Sequence, residues 1–308
     1  MHRQFILFLM CFLFLGTATI LAETEEEILK SRESWVKIVD VEGRSLLVYA
    51  QNSPEWADLY MTENIKTNRR FGEAGCAVTA LANATVNLIP MERLKAITEI
   101  MQSPVAFDSV KLARYFGRID GRFIPKEDCD FVRYWPIILA NFAEGNNRMH
   151  SHEAQGPAFY SLVFNHFGLS FKATGNIEET IEALKTGAMA ITCSSGSNSP
   201  FSRIGHFFVL CAADEESVYI LDSFFRDEYP KDQRKILQIL SPGLLKISYD
   251  NLKYLGIQTQ YVVWPAENAT QYTPEIWKGI LEKSNAVLAK TQNEHLSVDY
   301  QMMQGGAL

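Results

Sequence analysis

The sequence predicts an α+β chain in which a helical part is followed by an antiparallel sheet. Three observations predict it. After Cys76 the apolar residues Ala77, Ala80, Leu81, Ala84 and Leu88 fall at helical spacing, and Pro90 stops the run. From Ala188 onward the pattern changes to short continuous apolar runs, which read as buried strands. Helices come first and strands second, instead of alternating, which argues against a doubly wound parallel sheet.

The elements follow in order. Residues 1–22 carry Arg3, then an unbroken apolar run from Phe5 to Leu15, then small residues ending at Ala22. That is the pattern of a secretory signal peptide, with cleavage expected before Glu23 and a secreted or extracytoplasmic product. The run is short for a membrane span. Residues 23–50 form an acidic arm and a hairpin: Val36–Val39 and Leu46–Tyr49 flank the turn signal Glu42-Gly43-Arg44. Residues 51–75 read as loop. The Cys76 helix is followed by helices expected over Met91–Met101 and Asp108–Phe116. Gly117–Gln155 reads as irregular, with an apolar patch at Trp135–Phe142. Helices are expected over Ala158–Phe167, closed by Gly168, and Glu178–Lys185, closed by Gly187. Strands are expected at Ala188–Cys193, Phe207–Ala212, Val218–Leu221 and Gln260–Trp264. Residues 51–266 thus form the main domain. Residues 267–308 are a helical tail, with Thr273 as N-cap and Pro274 at the first helical position.

Composition narrows the function. The chain has 308 residues, 47% hydrophobic and 21% charged, which excludes disorder as the main state. Its net charge of −7 argues against nucleic-acid binding, which needs clustered Lys and Arg. An acidic exterior also disfavours adsorption to anionic membranes. Five cysteines are too few for a disulfide scaffold.

The chemistry converges on three segments. In Phe71-Gly72-Glu73-Ala74-Gly75-Cys76 a cysteine sits where a glycine-containing loop meets a helix start. Unpaired N–H groups and the helix dipole there favour thiolate over thiol, and can also stabilise an oxyanion. The bland alternative is a buried cysteine packing as a small hydrophobe. In Gly205-His206-Phe207-Phe208-Val209-Leu210 a histidine opens a central strand. In Val218-Tyr219-Ile220-Leu221-Asp222 the next strand delivers a carboxylate at its end. Antiparallel pairing of these consecutive strands puts the start of one beside the end of the other, so His206 and Asp222 become neighbours. A carboxylate there fixes the imidazole tautomer and stabilises its cation.

These residues resemble a family. Gln51-x-x-x-x-Trp56, Gly75-Cys76-x-x-Thr79-Ala80-Leu81-Ala82, Gly205-His206-Phe207-x-Val209-Leu210 and Tyr219-x-x-Asp222 are similar to blocks of the family 39 cysteine peptidases. These are the bacteriocin-processing-peptidase-like proteins, here in a secreted, stand-alone form. The interval of about 130 residues from cysteine to histidine also suits a papain-like enzyme. The resemblance covers Gln51 to Trp264 and implies a papain-like fold. It makes Cys76 the nucleophile, His206 the general base and acid, Asp222 the orienting carboxylate and Gln51 the side-chain donor to the oxyanion. The sequence departs from the family where Cys-Gly-Pro-Thr reads Cys76-Ala77-Val78-Thr79 and Asp-Pro reads Asp222-Ser223. Arg70 occupies the neighbourhood where the glutamine usually stands.

Hydrolysis of a peptide or protein substrate through a thioester is the leading function, with no cofactor and no metal. A cell-wall amidase or amide ligase with the same site, or a non-catalytic secreted binding module, are the alternatives. His150, His152, Glu153 and Cys129 do not assemble four ligands at zinc spacing. Cys193 and Cys211 lie on neighbouring strands, as a disulfide or as two core residues. Asn83-Ala84-Thr85 and Asn268-Ala269-Thr270 match the glycosylation acceptor pattern.

Overall fold

A computed structural model describes residues 36–53, 56–57, 70–90, 93, 116–119, 122–125, 132–145, 157–197, 199–226, 229, 235–267 and 272–282. The proposed signal peptide, the acidic arm to Glu33, the helix expected over Met91–Met101, His150, His152, Glu153, Cys129 and Asn268 lie outside the described residues, except that Arg93 is described and helical.

The chain is α+β, as the change of apolar period indicates. Strands β1 (Val36–Val41) and β2 (Arg44–Tyr49) form the hairpin around Glu42-Gly43. A four-residue helix α1 (Phe71–Ala74) leads into α2 (Cys76–Leu88), every residue of which is buried. Strands β3 (Phe116–Ile119) and β4 (Arg122–Pro125) pair with each other, so Phe116 begins a strand and does not end a helix; the rest of the helix expected over Asp108–Phe116 lies outside the described residues. The apolar patch read as irregular is the helix α3 (Trp135–Gly145). Helices α4 (Pro157–His166) and α5 (Ile177–Lys185) lie where the spacing puts them.

Seven strands make the main sheet. In chain order they are β5 (Phe171–Thr174), β6 (Met189–Ser194), β7 (His206–Ala213), β8 (Ser217–Asp222), β9 (Gln238–Ser241), β10 (Leu244–Ser248) and β11 (Gln260–Val263). Their spatial order is β5-β11-β6-β7-β8-β10-β9, antiparallel throughout. A 3-10 helix (Tyr249–Leu255) joins β10 to β11, and residues 274–282 form helix α6.

Both faces of this sheet are covered, which is why β6 and β7 read as unbroken apolar runs although the sheet is antiparallel. Along β7, Phe207, Val209 and Cys211 enter one core with α2, α3, α4 and the hairpin. Phe208 and Leu210 enter a second core with Ile181 and Leu184 of α5 and Leu252 and Leu255 of the 3-10 helix. The first core also takes Trp277 of α6, whose indole N–H donates to the Ser45 carbonyl at 2.9 Å.

The hairpin is tied to α2 by two asparagines. Asn83 accepts from the Tyr49 N–H at 2.7 Å and donates to the Tyr49 carbonyl at 3.2 Å. Asn87 does the same for Leu47, at 2.8 Å in both directions. Four residues of helix span about 6 Å, and two of strand about 6.6 Å. The two carboxamides therefore stand in for a neighbouring strand along the free edge of β2. Asn83 is fully buried in this role, so the first glycosylation pattern is not an acceptor site.

Cys193 and Cys211 are both free. Cys193 stands opposite Phe207, four residues along β7 from Cys211. That is about 13 Å along the strand, too far for a disulfide, which needs Cα atoms within about 7 Å. Both are core residues.

Candidate active site

Cys76 is the first residue of α2. It is delivered there by one tight turn at Gly75. Gly75 N–H donates to the Phe71 carbonyl at 2.7 Å, closing α1 directly before α2 begins. A Cβ on Gly75 would lie 2.6 Å from that carbonyl oxygen and 2.8 Å from the Phe71 ring, so this step admits only glycine. The sulfur then meets the N–H groups of Ala77 and Phe207 and the His206 imidazole.

His206 begins β7. Gly205 before it has φ +129°, and a Cβ there would meet the Cys193 sulfur at 3.4 Å, so glycine makes the turn into the strand. Asp222 ends β8 opposite Phe208, and His206, two residues before Phe208, reaches it diagonally. The His206 Nε2 lies 2.6 Å from Asp222 Oδ1. With Nε2 committed to the carboxylate, Nδ1 is the ring nitrogen left for Cys76. Cys76, His206 and Asp222 are 8%, 4% and 0% exposed, so the three meet nearly out of water, with the thiol at the open end.

Electrostatics follow from that burial. Burial pushes the Cys76 thiol up, but the hydrogen bond and charge of His206, with the Phe207 and Ala77 N–H groups, outweigh it, and the thiol falls below its ordinary value. Burial pushes His206 down, and Asp222 first and Cys76 second more than reverse this. Burial likewise opposes the Asp222 carboxylate, yet the charges of Arg226 and His206 and the Tyr229 hydroxyl hold it at about 2. The other two described cysteines go the opposite way: burial lifts Cys193 to about 11 and Cys211 to about 12. One cysteine of the three is thus set up to ionise.

Gln51 arrives at the seam between the two halves. Its N–H donates to the Ser223 carbonyl at 2.7 Å, beside Asp222, and its Nε2 donates to the Gly72 carbonyl at 2.9 Å, one turn before Cys76. Its Oε1 is buried without a partner. Asn52 strengthens the seam by exchanging hydrogen bonds with the Phe225 backbone, at 2.9 and 3.0 Å. One side-chain amide hydrogen of Gln51 is therefore taken up by α1, directly before the Cys76 helix, while its backbone N–H holds the residue after Asp222; the second amide hydrogen remains.

Several groups pack around the site, most of them without a signal in the sequence. Ser223, where the resembled family has proline, donates its hydroxyl to the Phe207 carbonyl and lies 3.4 Å from His206 Nε2. Phe201 stacks on the His206 ring, 5.5 Å between centroids at 29°. Arg226 and Tyr229 both donate to Asp222 Oδ2. They follow Asp222 in irregular chain, where no periodicity marks a side chain as facing inward. Among the described residues no group of three His, Cys, Asp or Glu side chains is arranged to hold a metal ion, and no helix is long and apolar enough to cross a membrane.

No family model matches the chain, and no curated protein matches its sequence. Among solved structures it is similar to a protein from Bacillus anthracis described as a C39-like peptidase, at 13% identity and a TM-score of 0.33, over 76% of this chain and 100% of that one. A likeness at that score decides nothing about the site, whose chemistry rests on the geometry above.

Proposed function

We propose that the protein is a cysteine peptidase that cleaves a peptide bond through a thioester on Cys76. The observation that carries this reading is a cysteine at a helix N-terminus, in contact with a buried histidine whose other ring nitrogen is 2.6 Å from a buried aspartate. The thiolate sulfur attacks the carbonyl carbon, and the tetrahedral adduct breaks its C–N bond as His206 gives its proton to the leaving amine. Water then attacks the thioester while His206 takes a proton from it; the C–S bond breaks, and the thiolate–imidazolium pair returns. Asp222 keeps the imidazole oriented through both transfers. The remaining Gln51 amide hydrogen and the first-turn N–H groups of α2 supply the oxyanion donors. The substrate is a peptide or protein, taken outside the cytoplasm after removal of residues 1–22.

Alkylation mapped by mass spectrometry tests the reading directly. At about pH 6, Cys76 in the native protein should react with iodoacetamide at least tenfold faster than Cys193 or Cys211. The same preparation should cleave peptides, and cleavage should stop as Cys76 is consumed. Equal labelling of the three thiols, or cleavage that survives complete labelling of Cys76, would refute it. N-terminal sequencing of the exported chain should begin near Glu23; finding Met1 would reject the leader.

A further inference from the structure

Asp222 has no exposed surface, and only one of its oxygens serves the imidazole. Oδ1 accepts from His206 Nε2 at 2.6 Å and from the Phe224 N–H at 3.0 Å. Oδ2 accepts from the Tyr229 hydroxyl and from Arg226 Nε–H, the latter at 3.3 Å. The Arg226 guanidinium carbon lies 5.1, 5.5 and 5.7 Å from the ring centroids of Phe224, Tyr229 and Phe201. Phe201 is the ring stacked on His206, and Tyr229 meets Phe201 edge-on at 6.3 Å. Arg226 therefore lies among rings that wall the histidine, with its side chain 18% exposed and its charge close to the carboxylate.

When Cys76 is a thiolate and His206 an imidazolium, the buried set Cys76, His206 and Asp222 carries one surplus negative charge. An unbalanced buried charge is expensive and is relieved by taking up a proton. Arg226 brings the set to neutrality. Among the described residues, it and His206 are the two cations that act on Asp222.

We infer that Arg226 and Tyr229 are positioning residues of this site, which balance and hold Asp222 so that the Cys76–His206 ion pair persists into mildly acidic solution. The inference rests on Cys76 being the nucleophile proposed above. The ionisable groups facing the constellation are Cys76 from α2, Tyr160 from α4, Cys193 from β6, His206 from β7, and Arg226 and Tyr229 after β8. Asp222 and Cys76 set the charge environment of His206, so loss of Arg226 reaches the imidazole through the carboxylate. Without its cation the buried set is one charge negative, and a single proton relieves it: Asp222 stays ionised beside the imidazolium, and the Cys76 thiolate takes up that proton at higher pH.

The test follows the alkylation rate of Cys76 against pH in the full chain, read by mass spectrometry with iodoacetamide as probe. It is run for wild type, Arg226→Met, Arg226→Lys and Tyr229→Phe. The acid limb of Arg226→Met should move up by about one pH unit, which is about tenfold slower labelling on that limb. Arg226→Lys keeps the charge and should fall between the two; Tyr229→Phe should shift the same way by less. A melt on each variant confirms folding. If Arg226→Met does not fold, Tyr229→Phe, which removes one hydroxyl, decides alone. Profiles that superimpose on wild type, while wild-type Cys76 labels rapidly near pH 6, would overturn the inference and leave the peptidase reading intact. Slow labelling of wild-type Cys76 is a separate failure, which removes the ion pair and both proposals with it.

Discussion

Replacing Asn83 by alanine should loosen the seam between the hairpin and the cysteine helix. The Asn83 carboxamide is fully buried and satisfies both the N–H and the C=O of Tyr49, at 2.7 and 3.2 Å. Tyr49 ends the hairpin two residues before Gln51, and its own hydroxyl donates to the Val132 carbonyl. Alanine leaves two buried backbone groups without partners, each costing about 1–3 kcal/mol. Entry of a water into the small space recovers part of this, so we expect a loss of about 3 kcal/mol. For a domain of this size that lowers Tm by about 6–12 °C. Asn83→Asp should be at least as damaging, because its carboxylate faces the Tyr49 carbonyl with no donor to offer. Thermal unfolding followed by circular dichroism reads both variants, and Cys76 labelling reads the site. An Asn83→Ala protein that melts within about 1 °C of wild type would refute the argument that the carboxamides replace a strand.

Other outcomes follow from the site. Cys76→Ala should abolish peptide cleavage and His206→Ala should nearly do so, since one removes the nucleophile and the other both proton transfers; full cleavage by a folded Cys76→Ala protein would end the peptidase proposal. Gln51→Ala should cost about 10²–10³ in kcat if the spare amide hydrogen serves the oxyanion, and a silent substitution would move that role to the N–H groups of α2. Asp222→Asn should lower cleavage less than Cys76→Ala, because the thiolate remains partly formed. The same substitution should lower stability by about 2–3 kcal/mol at neutral pH. Since the folded carboxyl titrates at about 2 against an ordinary 3.8, this contribution is complete above the unfolded value and fades as pH falls toward 2. Melting curves for the pair should therefore converge in acid, and a gap independent of pH would contradict the assignment.

How much of this was legible in the sequence differs from element to element. The hairpin, α2, α4, α5 and the four central strands are local patterns: a turn signal, a helical period closed by Pro90, and apolar runs of strand length. Helix α3 escaped because Pro136 and the polar chain before it mask a short period inside a segment that reads as irregular. Strand β5 escaped because it is a four-residue edge with no buried alternation, and its partner β11 comes almost ninety residues later. The turn between β9 and β10 did carry a signal, Pro242-Gly243 between apolar runs, which marks a hairpin.

The site divides in the same way. That His206 and Asp222 meet was decided by sequence alone, because consecutive antiparallel strands leave the start of one no place except beside the end of the next. That Cys76 heads a helix was equally local. Which groups surround them was decided only by tertiary structure. Asn83 and Asn87 read as polar residues on an apolar helix until β2 lies against them. Arg226 and Tyr229 read as loop residues until the chain after β8 folds back over the Asp222 carboxylate. Periodicity records which side of a helix or strand is buried, and so carries the elements. A partner brought in by a loop leaves no period, and its hydrogen bonds exist only once the distant backbone has closed.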